Sequence, residues 1–410
     1  MRAAEARGGF WRVNWRRRID LRDLEKAIVL GLFVALALLM RFFLRRFVSS
    51  DMASFFLPWL SLIQKQGLLA FRSDFGGLSP LFPYLLGVAG LLVPPISRIL
   101  AVKLISIAFD LVCSFFAYRL VSLRSPRGYA PVLALIAVLF APTVVLNSSL
   151  WGQADMVYTA GLVACVYFLA TGRDWASALS FGLALAVKFQ AVFLAPLLVA
   201  LFSRRALSWK ALLLIPVPYL VSILPAWAVG RPLPDLLTIY FHEAVEFPKL
   251  SFNAPTLYAW IPNQFYADLF PASLVFASAM VCLYVLAVFK SRIPLSAPRI
   301  VQLATFSVLF LPFILPEMHE RYFFAADVLS IVFAFYFPSY FFVPILVGSV
   351  SFFSYLHYLF NVAPISLPLL ALIQLGTIVL LAWHMVTTLF PSENQTASAG
   401  SLAVPPNGAG

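Results

Sequence analysis

Asp51, in Ser49-Ser50-Asp51-Met52, follows almost directly on the first long apolar stretch of the chain. A carboxylate at such an edge is a candidate general base, able to take a proton from a hydroxyl held within about 3 Å. Two further polar groups stand far away in sequence. The first is Asn147-Ser148-Ser149-Leu150-Trp151-Gly152-Gln153-Ala154-Asp155. An interfacial Trp151, and an Asp155 in a first helical turn where the macrodipole favours an acid, would account for two of its residues but not for Gln153. The second is Glu317-Met318-His319-Glu320-Arg321-Tyr322, whose ionisable groups cost free energy at a bilayer edge unless they pair or bind something. Lys188, in Val187-Lys188-Phe189-Gln190, supplies a cation suited to a lipid phosphate, although snorkelling alone would explain it equally well.

The elements that must position these residues are membrane helices. Of the 410 residues 62% are hydrophobic and 11% charged, with a mean hydropathy of +0.92. Runs such as Ala27 to Leu44 and Val132 to Val145 are apolar on every side, which excludes the period-two strands of a membrane barrel. The expected class is an all-α polytopic membrane protein. Its crossings fall near 27–44, 98–122, 129–147, 152–171, 174–188, 190–203, 210–229, 271–290, 299–316, 321–337, 340–358 and 362–388, about twelve in number.

The net charge of +12 comes from basic residues gathered at the ends of apolar runs, where they read as topology signals rather than as a nucleic-acid surface. Arg12, Arg16, Arg17, Arg18 and Arg22 keep the amino terminus, residues 1–26, in the cytoplasm. Arg41, Arg45 and Arg46, placed before Val48-Ser49-Ser50, argue for a retained anchor rather than a cleaved leader. Leu78 to Val93, broken by Pro80 and Pro83, reads as interfacial or re-entrant, because a full crossing there would invert every later loop. With that register a majority of the 29 basic residues lie inside.

The membrane unit then spans 27–390, with external loops at about 45–97 and 230–270 and a disordered tail at 391–410. Apolar positions 52, 55, 56, 59, 60 and 63 make an amphipathic helix on the outer surface of the first loop. On this topology Asp51, the Trp151 to Asp155 segment, Lys188 and the His319 to Arg321 segment all reach the outer face. Asp110 and Asp327, inside apolar runs, read as helix-pairing groups.

There is no glycine-rich phosphate loop and no Cys or His spacing for a metal, and Cys113, Cys165 and Cys282 all sit in apolar runs. A nucleotide-using enzyme is thereby disfavoured, no cofactor is expected, and any group donor should itself be borne by the membrane. A transporter or a flippase of lipid-linked sugars is the competing class. Such proteins usually carry their ionisable residues near the bilayer midplane in matching halves, and no half-to-half correspondence is visible here.

The external Asp51, Trp151-Gly152-Gln153-Ala154-Asp155, Lys188-Phe189-Gln190 and His319-Glu320-Arg321-Tyr322-Phe323 together resemble bacterial relatives of the GPI mannosyltransferase II family. These have the C-type (GT-C) fold of polyprenyl-phosphate-sugar-dependent glycosyltransferases. The likeness runs from about residue 28 to 335. It implies a catalytic Asp in the first external loop, matched by Asp51, with Asp155 as a competitor for that role. It further implies that Gln153 and Asp155 orient acceptor or sugar and that Lys188, His319 and Arg321 stand near the donor phosphate, with Trp151, Glu320 and Tyr322 as further candidate substrate-binding residues. Ser251 to Tyr258 is a looser match to an external segment, in which Asn253 carries little weight. The implied partners are a polyprenyl-phosphate-linked sugar, with mannose the family's example, a lipid-linked or glycan acceptor, and membrane lipids. The implied location is the inner, cytoplasmic membrane, with the site on its external side.

Overall fold

The computed structural model describes residues 21–243 and 248–391, so residues 1–20 of the basic amino terminus and 392–410 of the tail lie outside the described residues. The chain is an all-α bundle. Its helices are α1 (Leu21–Leu44), α2 (Leu57–Gln66), α3 (Leu81–Gly90), α4 (Arg98–Arg124), α5 (Ala130–Phe140), α6 (Pro142–Val145), α7 (Asp155–Ala170), α8 (Asp174–Val187) and α9 (Ala195–Ser203). The second half adds α10 (Trp209–Leu212), α11 (Pro216–Ala228), α12 (Leu233–Glu243), α13 (Tyr266–Lys290), α14 (Ala297–Ile314), α15 (Phe324–Tyr336), α16 (Val343–Phe360) and α17 (Leu367–Leu389). Among the described residues the one sheet is two residues by two: β1 (Ser251–Phe252) beside β2 (Met318–His319), parallel, with Phe252 opposite His319.

Among the described residues seven helical segments are long and apolar enough to cross a membrane: α1, α4, α10 with α11, α13, α14, α16 and α17. An eighth is the bent pair formed by α5 and the Pro142–Trp151 segment, turned by 48°. The remaining expected crossings correspond to shorter helices, α7, α8, α9 and α15. The chain is an integral membrane protein whose helices divide into long spans and short, broken ones.

The breaks have local causes. Pro142 forces Ala141 into extended backbone (ψ 126°) and ends α5. Ser97 accepts the backbone N–H of Leu100 and starts α4. Pro58 follows closely on the π-helical turn Met52–Phe56, where the hydrogen-bond ladder is already irregular. The segment read as re-entrant holds α3, ten residues long, or about 15 Å of rise, half a hydrocarbon core.

The core is built around α7, which is apolar all round and nearly all buried; α4, α8, α14 and α15 pack on it. With 16 and 14 residues, α7 and α8 rise only about 24 and 21 Å. That is short of the ~30 Å hydrocarbon thickness. Joined by a tight turn through Gly172 and Arg173, they bring Asp155, at the start of α7, level with Lys188, at the end of α8. Polar residues at the ends of short helices line a recess rather than a surface. The intramembrane acids pair helices. Asp110 of α4 accepts from Arg41 of α1 at 2.8 Å and from Ser148 Oγ at 2.7 Å, and Asp327 of α15 accepts from Ser351 of α16 at 2.7 Å.

Candidate active site

Asp51 sits where α1 has ended and a π-helical turn, Met52–Phe56, leads into α2. A second such turn, Leu146–Trp151, follows α6, and π-turns of this kind are frequent at functional sites. The two turns face each other. Asp51 Oδ2 accepts from Trp151 Nε1 at 2.9 Å and from Gln153 Nε2, and Oδ1 accepts from the Tyr358 hydroxyl of α16. Trp151 stacks on Tyr358, ring centroids 4.8 Å apart. A carboxylate offers about four acceptor positions. Three are filled, which leaves one on Oδ1 for an incoming hydroxyl.

The backbone around Asp51 is tied down as well. Ser49 Oγ donates to the carbonyl of Trp151 at 2.9 Å, and the buried Lys103 of α4 donates to the carbonyls of Phe47 and Leu44 at 2.7 and 3.3 Å. Gly152 turns the chain between Trp151 and Gln153 at φ +78°, and a Cβ there would lie 2.5 Å from the Met52 side chain.

Asp155 is fully buried and closed. Its Oδ1 accepts from Lys188 Nζ at 2.5 Å and its Oδ2 from Asn147 Nδ2 at 2.8 Å. Arg321 stands between the acids, 3.6 Å from Asp51, 3.7 Å from Glu320 and 4.0 Å from Asp155, and its guanidinium lies over the Trp151 ring. The turn that carries it, Glu320–Phe323, joins α14 to α15. Just before this turn β2 pairs with β1, and His319 stacks on Phe252 at 4.5 Å between centroids.

A cavity of about 510 Å³ opens onto this cluster. Asp51, Gln153, Lys188, His319, Arg321 and Tyr322 line it, with Tyr358 and Phe252. Trp151, Asp155 and Glu320 do not; they lie behind the wall, at 0, 0 and 1% exposure. Burial pushes the His319 imidazole down to about 3, with the Arg321 and Lys188 cations adding to it, so the ring is neutral at ordinary pH and offers hydrogen bonds rather than charge. Burial pushes Glu320 up to about 7, against the pull of Arg321 and helped by the Asp51 and Asp155 carboxylates.

The four sequence groups therefore converge on one recess, with differing access to it. Asp51 is at the surface of the cavity and Asp155 is beneath it. Lys188 and Arg321 are the cations that reach the cavity among the residues expected near a phosphate. Sequence reasoning missed Tyr358, Phe252 and Lys103. Tyr358 is embedded in an apolar helix with nothing local to mark it. Phe252 lay in the segment read as a looser match, with no role of its own, and the β1–β2 pairing brings it to His319.

The chain shares its fold with ArnT from Cupriavidus metallidurans, whose crystal structure was determined bound to undecaprenyl phosphate. The likeness covers 92% of this chain and 81% of that one, with a TM-score of 0.54 and 14% sequence identity. It supports the GT-C arrangement expected from the sequence. No protein-family profile and no curated protein matches the sequence.

Proposed function

We propose that the protein is an inverting glycosyltransferase. It moves a sugar from a polyprenyl-phosphate donor to an acceptor hydroxyl at the external face of the inner membrane, with mannose the leading candidate sugar. The observation that carries this reading is a single recess in which the carboxylate of Asp51 shares a cavity with the cations Lys188 and Arg321, while the second carboxylate on its wall, Glu317, is taken up by a hydrogen bond from Tyr266. The fold shared with a protein that binds undecaprenyl phosphate supports the same donor class.

Phosphate leaves a glycosyl carbon as a stabilised anion, so the leaving group needs cationic neighbours more than an acid. Arg321 and Lys188 meet that need, and neutral His319 can add a hydrogen bond. The acceptor hydroxyl must lose its proton as it attacks. Asp51 Oδ1, with its remaining acceptor position, takes that proton, and general base catalysis of this kind contributes about 10²- to 10⁴-fold. Attack from the face opposite the phosphate inverts the anomeric carbon, and one base is enough. Trp151, Gln153 and Tyr358 fix the carboxylate. Asp155 acts from behind the wall by holding Lys188.

The test is purified protein offered a panel of polyprenyl-phosphate sugars with lipid-phosphate release as the readout. Release with one sugar class, dependent on an added acceptor, is the expected result. No release from any of them, by protein whose fold is verified, refutes the assignment.

A further inference from the structure

Arg321 is surrounded by more negative charge than it can balance. Asp51, Glu320 and Asp155 all lie within 4.0 Å of its guanidinium, and Lys188, already closed on Asp155, is the other cation of the cluster. Three ionised acids against two bases would leave one surplus negative charge in a region where Glu320 is 1% and Asp155 0% exposed. Arg321 is also loosely held. None of its three acid contacts is a hydrogen bond, and its Nε has no hydrogen-bond partner among the described residues. A guanidinium has five donors, so Arg321 is poised to receive an anion from the cavity it lines.

An incoming phosphodiester adds a further negative charge, and like charges in a desolvated site disfavour mutual ionisation. The cluster has one outlet. Asp51 is fixed by three donors and Asp155 by two, whereas the Glu320 carboxyl is met by its own backbone N–H and its Oε1 is buried without a hydrogen-bond partner among the described residues. Glu320 is sealed behind the cavity wall and cannot escape into solvent. It can shed its charge only by binding a proton.

We propose that Glu320 is a positioning residue that takes up a proton as Arg321 receives the donor's phosphate, so that donor binding and protonation are one linked event. The inference rests on the donor assignment above. The groups facing Glu320 are Arg321 on its own turn, Asp51 from the first loop, Asp155 from α7 and Tyr355 from α16. Of the helices packed on this turn, α15 brings Asp327 and α14 brings no charged residue beyond Arg299 at its far end. Glu320 already titrates near neutrality in the free protein, and an added anion raises it further. The proton is bound more tightly in the complex, so affinity falls as pH rises above about 7. Uptake of one proton gives up to about tenfold weaker binding per pH unit.

The probe is methyl farnesyl phosphate, a phosphodiester with no titrating group of its own, bound to the purified full chain and followed by calorimetry from pH 7 to 9. The wild type should weaken several-fold to tenfold between pH 7.5 and 8.5, while Glu320→Gln, checked for folding by its melting temperature, should bind with a flat profile. A flat wild-type profile, or an equal slope in Glu320→Gln, overturns the coupling while leaving the donor assignment standing. Absence of binding at millimolar probe overturns both. Should Glu320→Gln fail to fold, wild-type calorimetry in two buffers of different ionisation heat counts the protons directly. A count of zero at pH 8 overturns the inference, and a count approaching one supports it.

Discussion

Replacing Gly152 by alanine tests whether the two π-turns hold Asp51 as tightly as the packing implies. Gly152 sits in left-handed backbone at φ +78°, ψ 32°, a conformation that costs a residue with a Cβ about 1–2 kcal/mol. The new methyl would also lie 2.5 Å from Met52 Cε and 3.4 Å from Lys103 Cγ. Met52 Cε is the free end of a flexible side chain, but Met52 is fully buried and has no open space to move into, so overpacking adds about 1–3 kcal/mol. The summed loss is roughly 2–5 kcal/mol. Gly172 supplies the control. It is also left-handed, at φ +68°, but nothing lies within 4 Å of where its Cβ would stand. Gly172→Ala should therefore show the backbone cost alone, with turnover intact. Gly152→Ala pushes on Met52, the neighbour of Asp51, and on Lys103, which holds the preceding carbonyls. A displacement of about 1 Å in a reacting group can cost about 10²-fold in rate, so kcat should fall at least tenfold. Melting temperature and kcat of both variants in the same detergent decide the matter. Equal destabilisation of the two, with wild-type kcat in Gly152→Ala, would refute the reasoning.

Tyr358→Phe removes one of the three donors on Asp51, and a hydrogen bond to a charged group contributes about 1.5–3 kcal/mol. It should lower kcat roughly 10- to 100-fold and leave the donor KM within about twofold, since Lys188 and Arg321 are untouched; an unchanged kcat would remove Tyr358 from the site. Lys188→Met leaves Asp155 buried without its hydrogen-bonded cation, with Arg321 no nearer than 4.0 Å, and should cost about 3–5 kcal/mol. Adding Asp155→Leu should restore much of the melting temperature but not donor use, and a double variant no more stable than the single one would contradict this account of the pair. His319 is held neutral by burial, with a value near 3 against 6.5 when unfolded. The unfolded chain therefore binds the extra proton between those values, and the His319 contribution makes stability fall as pH drops below 6.5. His319→Gln should flatten that part of the stability profile in a melting series from pH 4 to 7, and an unaltered slope would show that the imidazole is not buried neutral.

Much of the fold was legible because a bilayer imposes its signal on every crossing. Each of the twelve apolar stretches has a helix within it, and the Leu78 to Val93 stretch, set aside for its prolines, holds a helix too short to span. What the sequence did not disclose is which crossings are short and broken. That depends on Ala141 before Pro142 and on the turns after Asp51 and before Gly152, whose consequences are tertiary. The site divides in the same way. Asp51, Gln153, Lys188 and Arg321 were visible because polar residues are conspicuous beside apolar runs. The same signal cannot separate a residue facing a cavity from one buried beside it, so Asp155 and Glu320 looked equivalent to Asp51 and Arg321. Tyr358 was silent because a tyrosine near a helix end is ordinary in a membrane protein, and only the fold brings its hydroxyl across some three hundred positions of chain to Asp51.

The most direct measurement is transfer by Asp51→Asn, an exchange that keeps the size of the side chain and removes the base. In protein with a wild-type melting temperature and intact donor binding, the rate should fall by about 10²- to 10⁴-fold. Transfer at the wild-type rate in that same protein would contradict the assignment of Asp51 as the group that deprotonates the acceptor.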